Sequence, residues 1–234
     1  ADALYQNQLF TAFKDIDTAY YLIHSLHLGP KKFAEVDIKA ARNFRKVAEQ
    51  MQVRRIIYLG GLGDIRSSLS SHLRSRAEVA KELKRGSIPV TILRAAVIVG
   101  SGSASYEIIK HLVKTLSFMP IPYWAENKCQ PIAIRDVVKY LVGALENPKT
   151  TGRSFDIGGV DILMYQELLK VLAAVIKKKI VFMPVRFSSI RFYAYVASLL
   201  TPVPNALCHC LLEGLKNEVI CTDKDIKEII PFKP

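Results

Sequence analysis

Ala19-Tyr20-Tyr21-Leu22-Ile23, Arg55-Ile56-Ile57-Tyr58-Leu59 and the run over residues 90–99 are the stretches on which the fold turns. Each is short, apolar and rich in strand-favouring residues, and each ends on a turn signal. The first gives way to His24-Ser25, the second to Gly60-Gly61 and the third to Gly100-Ser101-Gly102. Glycine at such a point lets the chain change direction without steric penalty. Between the runs the period changes. Over residues 33–51, Val36, Ala40, Phe44, Val47 and Ala48 recur at three- and four-residue steps, leaving one apolar face and one basic face, which predicts a helix. Ser70 or Ser71 can cap a second helix, on which Leu73, Ala77, Ala80 and Leu83 share a face before Gly86 and Pro89 end it. The strand starts are about 36 residues apart, against the ~30 or more of a strand-helix-strand unit. Two successive right-handed crossovers in a parallel sheet follow. The fold class is α/β, a doubly wound parallel sheet.

Beyond Gly102 the pattern predicts a helix over 105–116, a proline-rich turn around Pro120 and Pro122, and a helix over 136–145. Residues 154–159 read as another strand with a glycine turn, 165–176 as an amphipathic helix and 190–200 as a hydrophobic helix ending at Thr201-Pro202-Val203-Pro204. The expected division is a dinucleotide-binding part over 1–150 and a smaller, mixed, substrate-side region over 151–234. A strand as apolar as 19–23 needs neighbours and cover on both faces, so an upstream strand is expected beside it. No G-x-G-x-x-G occurs, and a phosphate cradle of that kind is expected upstream.

Thirty-three Lys and Arg against 21 Asp and Glu give a net charge of +12, which favours anionic partners. The cations are scattered, and the densest run, Lys177 to Lys179, reads as a solvated helix end, which argues against nucleic acid. Cys129, Cys208, Cys210 and Cys221 and the five histidines form no zinc pattern, so no metal is expected. Ordinary cysteine usage points to the reducing cytoplasm. The longest apolar stretch, residues 192–200, falls far short of the ~20 needed to span a bilayer, and is expected to be core or a subunit contact such as a homodimer's.

Taken together, the 17–25 run, Arg55 to Leu62, the Ser71-His72-Leu73-Arg74-Ser75-Arg76 helix start and the 93–103 segment resemble the atypical short-chain dehydrogenases/reductases. The likeness is to their NmrA-like and nucleoside-diphosphate-sugar-epimerase-like branch, and it covers nearly the whole chain. The resemblance implies a Rossmann fold, with strands four, five and six at the three runs, that binds NAD or NADP and acts by hydride transfer on a small-molecule substrate. It places the usual catalytic Ser or Thr on Gly60 or Gly61, which have no hydroxyl, and the Tyr-x-x-x-Lys pair on His72 and Arg76. The helix-four Asn becomes Asp37. Arginine can hold a ribose but stays charged, whereas a histidine of ordinary pKa, ~6.5, could act as acid or base near neutrality. With the tetrad so altered, a non-catalytic dinucleotide or redox sensor and a structural assembly factor stand as alternatives.

The residues at the ends of the strands follow from the same frame. His24 and Ser25 lie beyond a parallel strand's carboxyl end, where ligands sit in open α/β sheets; a local turn is the rival reading. Gly60, Gly61, Ala95, Ala96 and Val97 would line the cofactor alongside Arg76, although glycines also simply end strands. His72 could be no more than an exposed helix-start residue, and Asp37 a first-turn carboxylate on its helix's charged flank. Arg94, inside a strand, requires a carboxylate partner or a phosphate. Ser105 and Tyr106 could meet a substrate, with Trp124 and Gln130 as the opposite wall; for Trp124 packing is the rival role.

Overall fold

The computed structural model describes residues 1–28, 32–63 and 69–232. Its centre is a four-stranded, wholly parallel sheet in the order β1 (Thr18–Tyr21), β2 (Arg55–Gly61), β3 (Val90–Ala95) and β8 (Ser154–Ile157). On one face lie α1 (Gln6–Ala12), α2 (Phe33–Gln50) and α3 (Ser71–Lys84). Ala40, Phe44, Val47 and Ala48 of α2 and Val79 and Leu83 of α3 pack there against Tyr21, Ile56, Tyr58 and Ile92. Aromatic edges tie that layer together: Phe44 meets Phe13 at 4.8 Å and Tyr21 at 4.9 Å between ring centres. The opposite face is covered by α5 (Ile134–Glu146) and α9 (Asp225–Ile229), through Val137, Tyr140, Ala144 and Ile226 on Ile57, Leu93, Phe155 and Ile157. Cover on both faces is what a parallel sheet of such apolar strands requires. Ser70 is the cap of α3: its hydroxyl accepts from the Leu73 amide.

Several expectations need correction in detail. The first strand stops at Tyr21, because Leu22 and Ile23 are exposed and turn away to the site. The run over 90–99 is two strands. β3 ends at Ala95, and β4 (Ile98–Val99) leaves the sheet to pair in parallel with β7 (Ile132–Ala133), its exit fixed by the Ile132 amide donating to the Val97 carbonyl. The proline-rich turn is a strand, β5 (Phe118–Pro122), paired in parallel with β10 (Val181–Val185). Proline is tolerated there because each strand of an isolated pair has a side that needs no donor.

The remaining elements form a second apolar body beside the sheet's carboxyl edge. α4 (Ala104–Thr115), α6 (Tyr165–Val175), α7 (Ile190–Leu200) and α8 (Asn205–Gly214) enclose Ile108, Val113, Trp124, Ala173, Ala194, Ala197 and Cys208 together with β5 and β10. β6 (Lys128–Cys129) and β9 (Leu163–Met164) pair antiparallel at its base. The main sheet takes its fourth strand, β8, from beyond residue 150. There the expected internal partner of Arg94 is found: Arg94 Nη2 pairs with Asp156 Oδ1 at 2.6 Å on the adjacent strand. Among the described residues no helix is long and apolar enough to cross a membrane, and no cluster of His, Cys, Asp and Glu could hold a metal.

Candidate functional site

The carboxyl ends of β1 and β2 and the first turns of α2 and α3 meet around one buried carboxylate. Asp37 is 1% exposed, not on the solvent-facing flank of its helix. Its Oδ1 accepts from the Ser25 amide at 2.8 Å, and its Oδ2 accepts from the Ser75 hydroxyl at 3.1 Å and pairs with Arg76 Nη2. Arg76, itself 7% exposed, also donates from Nη1 to the Ile23 carbonyl at 3.1 Å. Tyr58 donates from its hydroxyl to the Arg76 carbonyl at 3.1 Å. Burial pushes the Tyr58 phenol up to about 12, so it stays protonated. The network thus cross-links strand end to helix start, and every member except the Arg76 Nε–H has a partner.

His72 sits half-buried at the head of α3, one turn before Arg76. Burial first, and then the positive fields of Arg76 and His24, push its pKa down to about 4, against a smaller opposing pull from Asp37. At neutral pH it is an uncharged imidazole and has no surplus proton to donate. A pH dependence follows. The unfolded chain takes up this proton near the ordinary value of ~6.5, the folded chain only near 4. Between those values the unfolded state binds more protons, so stability falls as pH drops through the window and is unaffected by His72 above it. Melts of the wild type and His72→Gln at neutral pH and at about pH 4.5 are expected to show the variant losing less on acidification. An equal loss in both proteins would disprove it.

Gly60 and Gly61 end β2 beside this network. A Cβ on Gly61 would stand 3.2 Å from Leu73 Cδ2 and 3.3 Å from Arg76 Cγ, so the glycine lets α3 close on the strand end. Ala95 and Val97 offer carbonyls already taken by the Leu62 and Ile132 amides, and Ala96 lies between them half-buried. His24, exposed, lies near enough for its charge to act on His72. The sequence-derived cofactor set is therefore contiguous around three strand ends. Its organising residue, Asp37, was underestimated; the signal available was Arg76, which could not be buried without a carboxylate.

The substrate-side residues separate. Ser105 and Trp124 line a cavity of about 320 Å³ between α4, α6, α7 and α8, with Val97 at its sheet end. The Trp124 indole packs edge-on against Tyr193 at 5.4 Å and donates to the Ser188 carbonyl at 3.3 Å. Tyr106 lies outside that wall, under Lys110 Nζ at 5.6 Å from its ring centre. Gln130 is a brace: its amide donates to the Gly159 carbonyl at 2.7 Å and accepts from the Cys221 amide at 3.0 Å. A second hollow, of about 640 Å³, lies between α3 and the β3–β8 side of the sheet, bordered by Gly60, Gly61, Arg76, Lys81, Lys84 and Arg94.

No protein-family profile matches the chain. Over 128 residues, 54% of this chain, it is 29% identical to NADH dehydrogenase (ubiquinone) 1 alpha subcomplex subunit 9, mitochondrial, of Arabidopsis thaliana, and the match spans 32% of that protein. Among solved structures it superposes on a nucleoside-diphosphate-sugar epimerase from Staphylococcus aureus with a TM-score of 0.78 at 20% identity, covering 100% of this chain and 78% of that one. It superposes on the triphenylmethane reductase of Citrobacter sp., solved with NADP(H), with a TM-score of 0.75 at 18% identity, covering 100% and 79%. Four parallel strands covered on both faces and these likenesses agree: the chain carries a Rossmann-type fold, like that of the epimerase and the reductase it superposes on.

Proposed function

We propose that the chain holds the nicotinamide half of an NAD- or NADP-type dinucleotide at the ends of β1, β2 and β3, as a fixed component of a larger assembly rather than as a turnover enzyme. The observation that carries this reading is the closed Asp37–Arg76 pair. The guanidinium at the position of a ribose-holding lysine is committed through Nη2 to Asp37 and through Nη1 to the Ile23 carbonyl, and its buried Nε is the one nitrogen with no partner among the described residues. The residues present fit a dinucleotide's ribose and nicotinamide: the Arg76 Nε without a partner, a strand end of two glycines packed on Arg76, and the Ser25 turn tied to Asp37 belong to one network. When bound, the dinucleotide would supply a hydride-carrying ring. Around it this chain offers rigid polar contacts, but at the positions of the usual proton donors His72 is neutral and Gly60 and Gly61 carry no hydroxyl. Support comes also from the Arabidopsis relative, named as a subunit, and from the reductase neighbour solved with NADP(H).

The second reading, hydride transfer to a small carbonyl or sugar substrate, is favoured by the epimerase and reductase neighbours. Titrating the full-length protein with NADPH and NADH, followed by a turnover screen, separates the two. We expect saturable binding, no substrate-dependent oxidation, and unchanged binding in His72→Ala. Turnover abolished by His72→Ala would establish the enzyme instead, and no binding at about millimolar cofactor, where even weak sites fill, would remove both. The four free thiols suit a reducing compartment. The relative's name moves our reading from the cytoplasm to the mitochondrion, which fractionation of the full-length protein tests.

A further inference from the structure

The cavity behind α7 has a wall that is almost wholly hydrocarbon. Ile108, Leu112, Leu169, Val196 and Leu211 are typical of it. The polar groups there are few: Trp124 Nε1 donates to the Ser188 carbonyl, the Tyr193 hydroxyl donates to the Phe187 carbonyl at 3.0 Å, burial keeps the Tyr165 phenol un-ionised, and Ser105 adds one hydroxyl. A sugar or a phosphate placed inside would lose its hydration and find almost nothing to bond. A hydrocarbon chain would lose nothing, and about 320 Å³ lies at the lower end of the ~300–1,000 Å³ of ligand pockets.

One side of the cavity is built from a stretch whose charge has a single sign. From Leu168 to Leu212 the chain contains no Asp or Glu, yet it carries Lys170, Lys177, Lys178, Lys179, Arg186 and Arg191. Leu169, Phe192, Val196 and Leu211 of the cavity wall belong to this stretch. Phe192, which borders the cavity, is 50% exposed, and the next residue before it is the exposed Arg191. Lys170 is exposed beside Leu169. Glu107, Glu126 and Glu213 stand next to other wall residues, so the cationic border is the Lys170 and Arg191 side alone; an apolar slot with one such side is matched by a ligand with a long apolar tail and an anionic head.

We propose that this cavity binds the hydrocarbon chain of an anionic amphiphile, a fatty acid or an anionic phospholipid, with the head left at the Lys170 and Arg191 side. The cavity meets the strand ends that would hold a dinucleotide only at Val97, so binding is expected with or without NADPH.

The test uses the full-length protein and cis-parinaric acid, whose fluorescence rises in an apolar site. Saturable binding is expected, displaced by palmitate but not by acetate or UDP-glucose. Val196→Trp, which fills the slot, is expected to weaken binding at least about tenfold while circular dichroism stays native. Reversing charge with Lys170→Glu and Arg191→Glu together should weaken palmitate but leave hexadecanol unchanged. Flotation with phosphatidylcholine vesicles containing phosphatidylglycerol identifies the source: co-flotation lost in Val196→Trp points to a bilayer lipid, and parinarate binding without flotation to a free acid. Absence of parinarate binding, displacement by UDP-glucose, or undiminished binding in a folded Val196→Trp overturns the proposal. If Val196→Trp does not fold, the displacement series on the wild type decides alone. A parallel NADPH titration keeps failure here distinct from failure of dinucleotide binding.

Discussion

Asp37→Ala is expected to destabilise the protein by about 3–5 kcal/mol, the range for a buried ion pair broken from one side. Among the described residues the carboxylate is the one counter-charge paired with Arg76, and it also accepts from the Ser75 hydroxyl and the Ser25 amide. Removing it strands a guanidinium that is 7% exposed, in a place water reaches poorly. For a domain of this size the loss corresponds to a fall of roughly 6–20 °C in Tm. Two companions separate charge from shape. Asp37→Asn keeps the shape and one acceptor oxygen, enough for the Ser25 amide while the Ser75 hydroxyl can turn to accept, and should lose less than Ala. Asp37→Leu combined with Arg76→Met removes both charges and should recover most of the stability, because a buried pair is often no better than well-packed apolar side chains of similar volume. A loss below about 1 kcal/mol for Asp37→Ala, the size of a surface pair, would show that the knot is not closed in solution.

The knot also shows where sequence reasoning ends. β1, α2, β2 and α3 were legible because their apolar periods record burial directly: both faces of the strands are covered, and one face of each helix is. Arg94 announced a partner, since a charge inside a strand must be answered, and Asp156 supplies it. The break after Ala95 was not legible. Residues 95–99 are apolar throughout, and what takes β4 out of the sheet is its pairing with Ile132–Ala133, far along the chain. The prolines of β5 concealed a strand for a related reason, because its one partner among the described residues is β10, about 60 positions on. Asp37 and Arg76 lie 39 positions apart, and Asp37's place on the charged side of a helix that looks amphipathic gave no hint that α3 would cover it. Gln130, expected on the wall opposite Ser105 and Tyr106, instead bonds to backbone with both ends of its amide. Long-range pairing, unlike period, leaves no local trace.

Asp156→Ala is the second large effect, and its cost is expected to fall on one segment of the fold. Asp156 is 2% exposed and serves two sets of partners. Its Oδ1 meets Arg94, whereas its Oδ2 accepts from the Thr222 amide at 2.9 Å, the Thr222 hydroxyl at 3.1 Å and the Asp223 amide at 3.2 Å. Those three donors hold the segment that leads into α9, whose Ile226 is fully buried against the sheet. Losing the carboxylate leaves the donors unmatched and frees the tail, for about 3–5 kcal/mol in total. Arg94→Met is the informative contrast. The arginine side chain is 34% exposed, so removing it unpairs Asp156 only on one side, and about 1–2 kcal/mol is expected. Amide exchange reads the difference: the Thr222 and Asp223 amides should lose protection in Asp156→Ala and keep most of it in Arg94→Met, and trypsin should cut at Lys224 or Lys227 sooner in the first. Equal losses of stability and protection in the two variants would mean that the ion pair, rather than the carboxylate's grip on the tail, fastens α9 to the sheet.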